Sequence, residues 1–350
     1  MDQFKNCFVG DEATVADVIK VLDKNVAKIC IVVDADDRLL GTVTDGDIRR
    51  AILNGRSFDE PVGTVMFKNP MTGTVGSAQK GLIRQARERK LEYIPILDHD
   101  SRVIDVLDVS HADVDLRRVP AEVILMAGGL GSRLWPLTES TPKPLLAIGE
   151  KPMIEIIIEN FVSQGLTDIT IAVNYKKEMM YATLGDGARF GANINYIEED
   201  NALGTAGALG FFTPRGDRPV IVMNADVLTD IAFSNLLLYH LEQKSQATMC
   251  IRRYDFQIPY GVVQCENSEI IAIKEKPIQE YFVNAGIYVL NSDLFARVPE
   301  NTPLYMTDFF NMLSHDGIRC LAFPIREYWL DIGQKEDFKE AQSYFTERSQ

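Results

Sequence analysis

The chain lacks the features of a secreted, membrane or metal-cluster protein. Its five cysteines (Cys7, Cys30, Cys250, Cys265, Cys320) are scattered, odd in number and free of any C-x-x-C pair. They offer neither a disulfide framework nor a zinc site and read as reduced cytosolic thiols. The opening MDQFKNCFVGDEATV has no charged-then-apolar leader pattern. No apolar run reaches the roughly 20 residues of a membrane span. Positive charge is short: 36 Lys and Arg face 50 Asp and Glu, a formal charge of −14, which argues against a nucleic-acid surface. Two common phosphate motifs are missing as well. No G-x-x-x-x-G-K-[ST] occurs, and a dinucleotide fingerprint would need glycine where Leu134 stands. These absences, with 350 residues of which 46% are hydrophobic, leave a soluble cytoplasmic protein of two or three domains, without membrane or nucleic-acid partners.

What the chain does have is concentrated between Val123 and Met153, VILMAGGLGSRLWPLTESTPKPLLAIGEKPM. Val123 to Met126 suits a buried strand. In Ala127-Gly128-Gly129-Leu130-Gly131-Ser132-Arg133, three glycines in four positions let the backbone approach a bulky anion and turn N–H groups toward it. Arg133 adds a planar fork suited to phosphate. Lys143 stands between Pro142 and Pro144, which predicts an extended, aimed lysine. A helix is predicted over Met153 to Gln164, closed by Gly165. Acidic and basic residues number 20 and 17 in 1–118, against 30 and 19 in the rest. A net −11 on the second part means that any polyphosphate there needs local cations or a metal.

The run GG-x-G-S-R-L-x-P-L-T followed by PKPLL resembles the signature of the sugar-1-phosphate nucleotidyltransferases, which join a sugar 1-phosphate to a nucleoside triphosphate and release pyrophosphate. The resemblance implies an α/β fold, a Rossmann-like mixed sheet of GT-A-like type, over 119–350. Later landmarks carry it on. Glu199-Asp200-Asn201-Ala202-Leu203-Gly204-Thr205-Ala206-Gly207 resembles the base-binding segment, in a form more usual in guanylyl members; Thr205 to Gly207 could open a helix. Asp226, at the end of Val222-Met223-Asn224-Ala225-Asp226, and Asp331, in Trp329-Leu330-Asp331-Ile332-Gly333, match the family's two Mg²⁺ aspartates. Tyr260 and Gly261 resemble the sugar-contacting pair. Glu275 and Lys276 resemble the residues on sugar hydroxyls and sugar phosphate, with Pro277 expected to hold Lys276 extended. Asn284 and Gly286 lie on another sugar-side strand, Gly286 leaving room for the ring. By the same resemblance Ala127, Gly128, Gly129, Gly131, Ser132, Glu199, Gly204 and Thr205 bind the nucleotide, and Arg133 and Lys143 act with the aspartates. Bland readings exist for each short motif: a glycine-rich turn, a turn aspartate, a charged hairpin end.

Strands are predicted at 168–174, 193–198, 219–224, 247–252, 261–266, 270–274, 282–290 and 320–325, and helices at 153–164, 233–243, 306–314 and 335–346. This alternation marks a mostly parallel sheet with its landmarks beyond carboxyl ends of strands.

Residues 1–118 hold an internal repeat. Lys28 to Ile48 aligns without gaps on Glu92 to Ala112, 64 residues on, each copy preceded by a helical stretch (15–25 and 77–90). The pattern resembles a pair of CBS motifs, an α+β module that binds purine nucleotides, pairs into a disc and favours homodimers or larger homo-oligomers. The resemblance assigns phosphate and ribose contacts to Thr44 and Asp47. The second copy has Asp108 and His111 instead, so one nucleotide site at most is expected, and a spacer or dimerisation module is the alternative. Residues 115–121, with Pro120, read as the link.

The layout resembles guanylyltransferases of bacterial surface-sugar pathways. It implies Mg²⁺-dependent GMP transfer from GTP to a sugar 1-phosphate such as glucosamine or mannose 1-phosphate. Thymidylyl, uridylyl or cytidylyl transfer by the same route stays open. No hexapeptide extension follows the last helix, so one reaction is expected. A nucleotide-sensing protein with an inactive transferase domain is the reading from another class, and the complete set of Arg133, Lys143, Asp226, Lys276 and Asp331 weighs against it. Glycosyltransferases with a similar half want D-x-D, which Asp226-Val227-Leu228 does not supply.

Overall fold

In the computed structural model of the chain, residues 4–25, 28–74, 79–89, 91–109 and 120–348 are described. The chain divides into two compact units, Met1–Arg117 and Arg118–Gln350. Among the described residues no helix is long and apolar enough to cross a membrane.

Among the described residues of the first unit, strands and pairing register recur at a fixed offset. Its two three-stranded sheets are Phe8–Gly10, Ile29–Val33, Leu39–Thr44 and Gly73–Thr74, Tyr93–Leu97, Val103–Asp108. Ile29 pairs with Thr44 and Tyr93 with Asp108, and both antiparallel pairs slip one residue at the same place, Val32/Val33 and Ile96/Leu97. The 64-residue offset thus survives as register. The acidic turns match too. Asp34 accepts from the N–H groups of Asp36 and Arg38, and Asp98 from those of Asp100 and Arg102. Backbone donors at Arg38 and Arg102 hold these two carboxyls below their usual range. The turns join crosswise: the Leu39 N–H donates to Ser101 and the Val103 N–H to Asp37. The expected helices run Val15–Lys24 and Gln79–Glu88. His111 and most of the 115–121 link lie outside the described residues.

The second unit is built on a seven-stranded sheet. In spatial order its strands are Asn193–Glu198, Asp168–Val173, Glu122–Met126, Val220–Asn224, Ile278–Leu290, Ala247–Gln257 and Cys320–Ile325. Ile278–Leu290 runs against both its neighbours and the remaining pairings are parallel. The mixed sheet is therefore parallel but for one strand. Continuous apolar runs are buried on both faces, as a sheet covered by helices requires. Met153–Ser163 covers one face through Met153, Ile154, Ile157, Ile158 and Phe161, with Phe161 stacked on Phe233 of the Phe233–Glu242 helix. Gly165 follows at φ +81°, a left-handed residue that lets the Leu166 N–H return to Phe161. Met306–His315 packs Phe309 and Leu313 on the other face.

Two strands run past the expected ends. Ala247–Gln257 and Ile278–Leu290 continue beyond the sheet as a paired ribbon, with the hairpin Val262–Glu266/Glu269–Lys274 between them in sequence. The ribbon and the hairpin, of two strands each, bury little, so Tyr254 and Phe256 on the one and Ile271 and Ile273 on the other stay exposed.

Thr44 and Asp47, expected to contact a nucleotide, are hydrogen-bonded to each other in the free chain. They form a capping box on the helix Asp45–Leu53: Asp47 Oδ2 accepts from the Thr44 N–H at 2.8 Å and the Thr44 hydroxyl at 2.6 Å, and Oδ1 from Arg50 at 2.6 Å. Thr14 and Asp17 cap Val15–Lys24 the same way. Asp47→Ala is expected to destabilise the first unit by about 1 kcal/mol, with Thr44→Ala similar and the double variant scarcely worse, because both act through one cap. Urea melts of the full chain check this; additive losses would contradict it.

Candidate active site

The strand Glu122–Met126 ends at the glycine loop, and the loop walls an open cleft of about 330 Å³. Ala127, Gly128, Gly129, Gly131, Ser132, Arg133, Lys143, Ala202, Asp226 and Gly333 all line it. Two glycines are closely enclosed here. Gly131 sits at φ +64°, and a Cβ there would come within 3.0 Å of Lys143 and Thr138. At Gly128 a Cβ would come within 2.6 Å of Glu199 Oε1. Buried Thr138 ties the loop down by donating its hydroxyl to the Gly131 carbonyl at 2.9 Å.

Lys143 does not lie extended. It begins a 3-10 turn, Lys143–Leu145, and Pro142 is the residue with extended geometry (φ −56°, ψ 143°). The turn buries the lysine stem, 8% exposed, and delivers Nζ to Asp226 Oδ2. Asp226 follows the strand Val220–Asn224, as expected. Asp331 reaches it through a pairing that periodicity did not disclose: Val227–Thr229 runs antiparallel to Trp329–Asp331, with Val227 opposite Asp331. The Ile332 N–H closes the pair on the Asp226 carbonyl at 3.0 Å, and Trp329 Nε1 donates to the Ala285 carbonyl at 2.8 Å. Arg133 lies beside Gly333, where a Cβ would be 3.3 Å from Nη1.

Burial and then the neighbouring Asp226 charge push the Asp331 carboxyl up to about 6, against the pull of Lys143 and Arg133. Asp226 Oδ1 is buried without a hydrogen-bond partner. An orphaned carboxylate oxygen and two carboxylates in mutual repulsion suit a divalent cation held by a few oxygens, with water and phosphate completing its shell. Among the described residues no third acidic, histidine or cysteine ligand joins them.

Glu199 is 5% exposed, and burial raises its carboxyl pKa. Its Oε2 accepts from the Leu203 N–H at 3.1 Å, while Oε1 lies over Gly128. Thr205 and Gly204 pack against 302–306: the Thr205 hydroxyl accepts from the Met306 N–H at 2.8 Å, and a Cβ on Gly204 would meet the Leu304 carbonyl at 2.6 Å. The chain past Thr205 forms a 3-10 helix, Gly207–Phe211, in place of a regular helix.

The sugar-side residues do not all sit at carboxyl ends of sheet strands. Tyr260 (74% exposed), Gly261, Glu275 and Lys276 stand on the ribbon and hairpin, outside the cleft wall. Glu275 Oε2 lies 3.0 Å from a Cβ placed on Gly261. Lys276 is not extended: it turns the chain into Ile278–Leu290 at φ +43°, and the turn outweighs the bias set by Pro277. Asn284 and Gly286 lie within the reversed strand. Asn284 donates to the Tyr288 hydroxyl at 2.7 Å and accepts from the Gly286 N–H at 3.0 Å. The space beside Gly286 is filled by Asn224, whose Nδ2 would be 2.8 Å from a Cβ there.

Residues 122–348 match the family described as Nucleotidyl transferase, and residues 5–54 the CBS domain. Mannose-1-phosphate guanyltransferase of Gibberella zeae is 34% identical over 224 residues, 61% of this chain and 61% of that protein. The protein of the same name from Schizosaccharomyces pombe is 33% identical over 226 residues, 62% of each. The chain spans about three fifths of the length of these curated relatives. A solved structure described as a glucose-1-phosphate thymidylyltransferase from Bacillus anthracis superposes with a TM-score of 0.52 at 28% identity, over 64% of this chain and 94% of that one. HddC from Yersinia pseudotuberculosis shares the fold, with a TM-score of 0.52 at 24% identity over 64% of this chain and 99% of that one.

Because its folded-state pKa is raised, Asp331 binds extra protons between about pH 4 and 6, so stability falls as pH rises through that window. Its side chain is accessible, so after discounting for solvent screening the cost at neutral pH is on the order of 1 kcal/mol. With chelator present, Asp331→Asn is expected to melt above the wild type at pH 7.5, by a margin that shrinks at pH 5. A margin independent of pH would refute the assignment.

Proposed function

Since the chain belongs to the nucleotidyl transferase family, we propose that it transfers a nucleotidyl group from a nucleoside triphosphate, GTP by preference, to a sugar 1-phosphate with release of pyrophosphate. The observation that carries this reading is the convergence of the glycine loop, Arg133, Lys143 and Asp226 on one cleft, with Asp331 paired next to it. Asp226 and Asp331 would hold a divalent cation, Mg²⁺ in this reading, which when bound neutralises charge on phosphate oxygens.

The reaction asks little covalent chemistry of the protein. An oxygen of the sugar phosphate is already anionic, needs no general base, and attacks the α-phosphorus in line with departing pyrophosphate. The barrier is the meeting of two anions, so positioning and electrostatics carry the rate. Loop N–H groups and Arg133 bind the leaving pyrophosphate. Lys143 exchanges Asp226 for the α-phosphoryl and sugar-phosphate oxygens. Tyr260, Gly261, Glu275 and Lys276 bring the ribbon over the sugar, a hexose of the mannose or glucosamine type used in bacterial surface sugars.

Glu199 supports guanine. A buried carboxylate only accepts hydrogen bonds, and guanine alone presents two adjacent donors, N1–H and the 2-amino group. Adenine offers an acceptor at N1, and uracil or thymine flanks its one N–H with carbonyls. Calorimetry with each triphosphate and Mg²⁺ should find GTP tightest, and Glu199→Gln should weaken it by about 1.5–3 kcal/mol, the worth of hydrogen bonds to a charged group. Tighter dTTP or UTP binding would sink the guanylyl reading.

The first unit is proposed to bind a regulatory purine nucleotide at Thr44 and Asp47 and to assemble the cytoplasmic enzyme as a homodimer or larger homo-oligomer. Both Asp47 oxygens are engaged in the cap and with Arg50, so a ribose diol must share or displace those bonds. Light scattering of the full chain should give at least a dimer at micromolar concentration. AMP or GMP should shift its assembly or pyrophosphate release in the wild type and not in Asp47→Asn. A nucleotide-insensitive monomer would refute this role.

A further inference from the structure

Asn224 is the last residue of the strand Val220–Asn224, which lies between the strand that leads into the glycine loop and the reversed strand Ile278–Leu290, and its neighbours Ala225 and Asp226 line the cleft. On one side it is in register with Met126, which leads into the glycine loop and lines the cleft. On the other its carboxamide lies against Gly286 of the reversed strand, at φ +70°. Asp226 is two residues on. Among the described residues the Asn224 side chain makes no hydrogen bond, and its Oδ1 is buried from solvent. Nearby Asn284, by contrast, is satisfied at both ends of its amide.

Buried polar groups are nearly always paired, because a lone one costs free energy that an apolar side chain of the same size would not. Leucine or methionine could fill this place. A carboxamide with both ends free has one acceptor and one donor side by side. That is the complement of a vicinal diol: Oδ1 accepts from one hydroxyl while Nδ2 donates to its neighbour.

We propose that Asn224 is a specificity-determining residue that binds a vicinal diol of a substrate sugar ring, either the ribose of the nucleotide or the hexose of the sugar 1-phosphate. This rests on the nucleotidyl-transfer reading. The two rings are the possible sources of one chemistry, and removing a single hydroxyl from each tells them apart.

The experiment measures kcat/KM for pyrophosphate release by the full chain with GTP against 2′-deoxy-GTP, and with mannose 1-phosphate against 2-deoxyglucose 1-phosphate. Calorimetric binding of GTP and 2′-deoxy-GTP runs in parallel and needs no sugar. The wild type should favour the hydroxylated partner about tenfold or more in one arm, since a site built to bond a hydroxyl rejects its analogue. Asn224→Leu should compress that preference to about twofold by losing activity or affinity on the hydroxylated substrate alone. It should also keep or raise the melting temperature, since the amide it removes is unpaired in the free protein. Preference in the nucleotide arm assigns the ribose, and in the sugar arm the hexose. Ratios that Asn224→Leu leaves unchanged in both arms, or a wild type without preference in either, overturn the proposal while transfer itself stands. A wild type that binds no triphosphate and releases no pyrophosphate fails the underlying reading instead.

Discussion

Asp226 and Asp331 carry the same charge and are held together by backbone, not by attraction. Val227–Thr229 and Trp329–Asp331 form a short antiparallel pair, and the Ile332 N–H bonds the Asp226 carbonyl at 3.0 Å. Fixing two carboxylates side by side is unfavourable: burial first, and then the Asp226 charge, raise the Asp331 pKa to about 6. The rest of the cleft offsets this. Lys143 is brought in on a buried turn between two prolines, and Arg133 on a loop that needs the left-handed Gly131. The sheet supplies the frame in which four charged groups from four separate segments meet.

The balance is local, because the unit as a whole is acidic. Lys143 is almost fully buried and faces Asp226, so with no other ligand it neutralises the carboxylate that a cation would take. Two buried side-chain oxygens at the end of one strand, Asp226 Oδ1 and Asn224 Oδ1, are left without a hydrogen-bond partner among the described residues. A folded protein tolerates such unpaired groups where a ligand completes them. That end of the strand is where the sheet turns from parallel pairing to the reversed strand, so the groups face both halves of the unit.

Much of this was legible in the residues. Clustered glycines before an arginine have few uses other than close backbone approach, and Gly128 and Gly131 each prove to be positions where a Cβ would collide. An aspartate at the end of a buried apolar strand marked Asp226. The repeat was legible because an ungapped 64-residue offset must reproduce register, and it does. The losses have particular causes. T-x-x-D is the spacing of a ligand pair and equally of a capping box, so the letters alone did not show the cap that Thr44 and Asp47 form in the free chain. Lys143 and Lys276 precede prolines, yet each is set by the turn it belongs to. Three-residue strands such as Val227–Thr229 have too few residues for periodicity to show.

Asn224 was invisible for another reason. A polar residue in VMNAD reads as part of the turn that exposes the aspartate, and nothing in the neighbouring letters says that its Oδ1 will be buried. The amide has room because of Gly286, 62 positions away in sequence, whose missing Cβ leaves the space that Nδ2 occupies. The glycine and the asparagine are meaningful as a pair, and a pairing across two strands appears only when the sheet order is known. The same holds for the aspartates. What one strand end presents to a ligand is decided by the strands beside it.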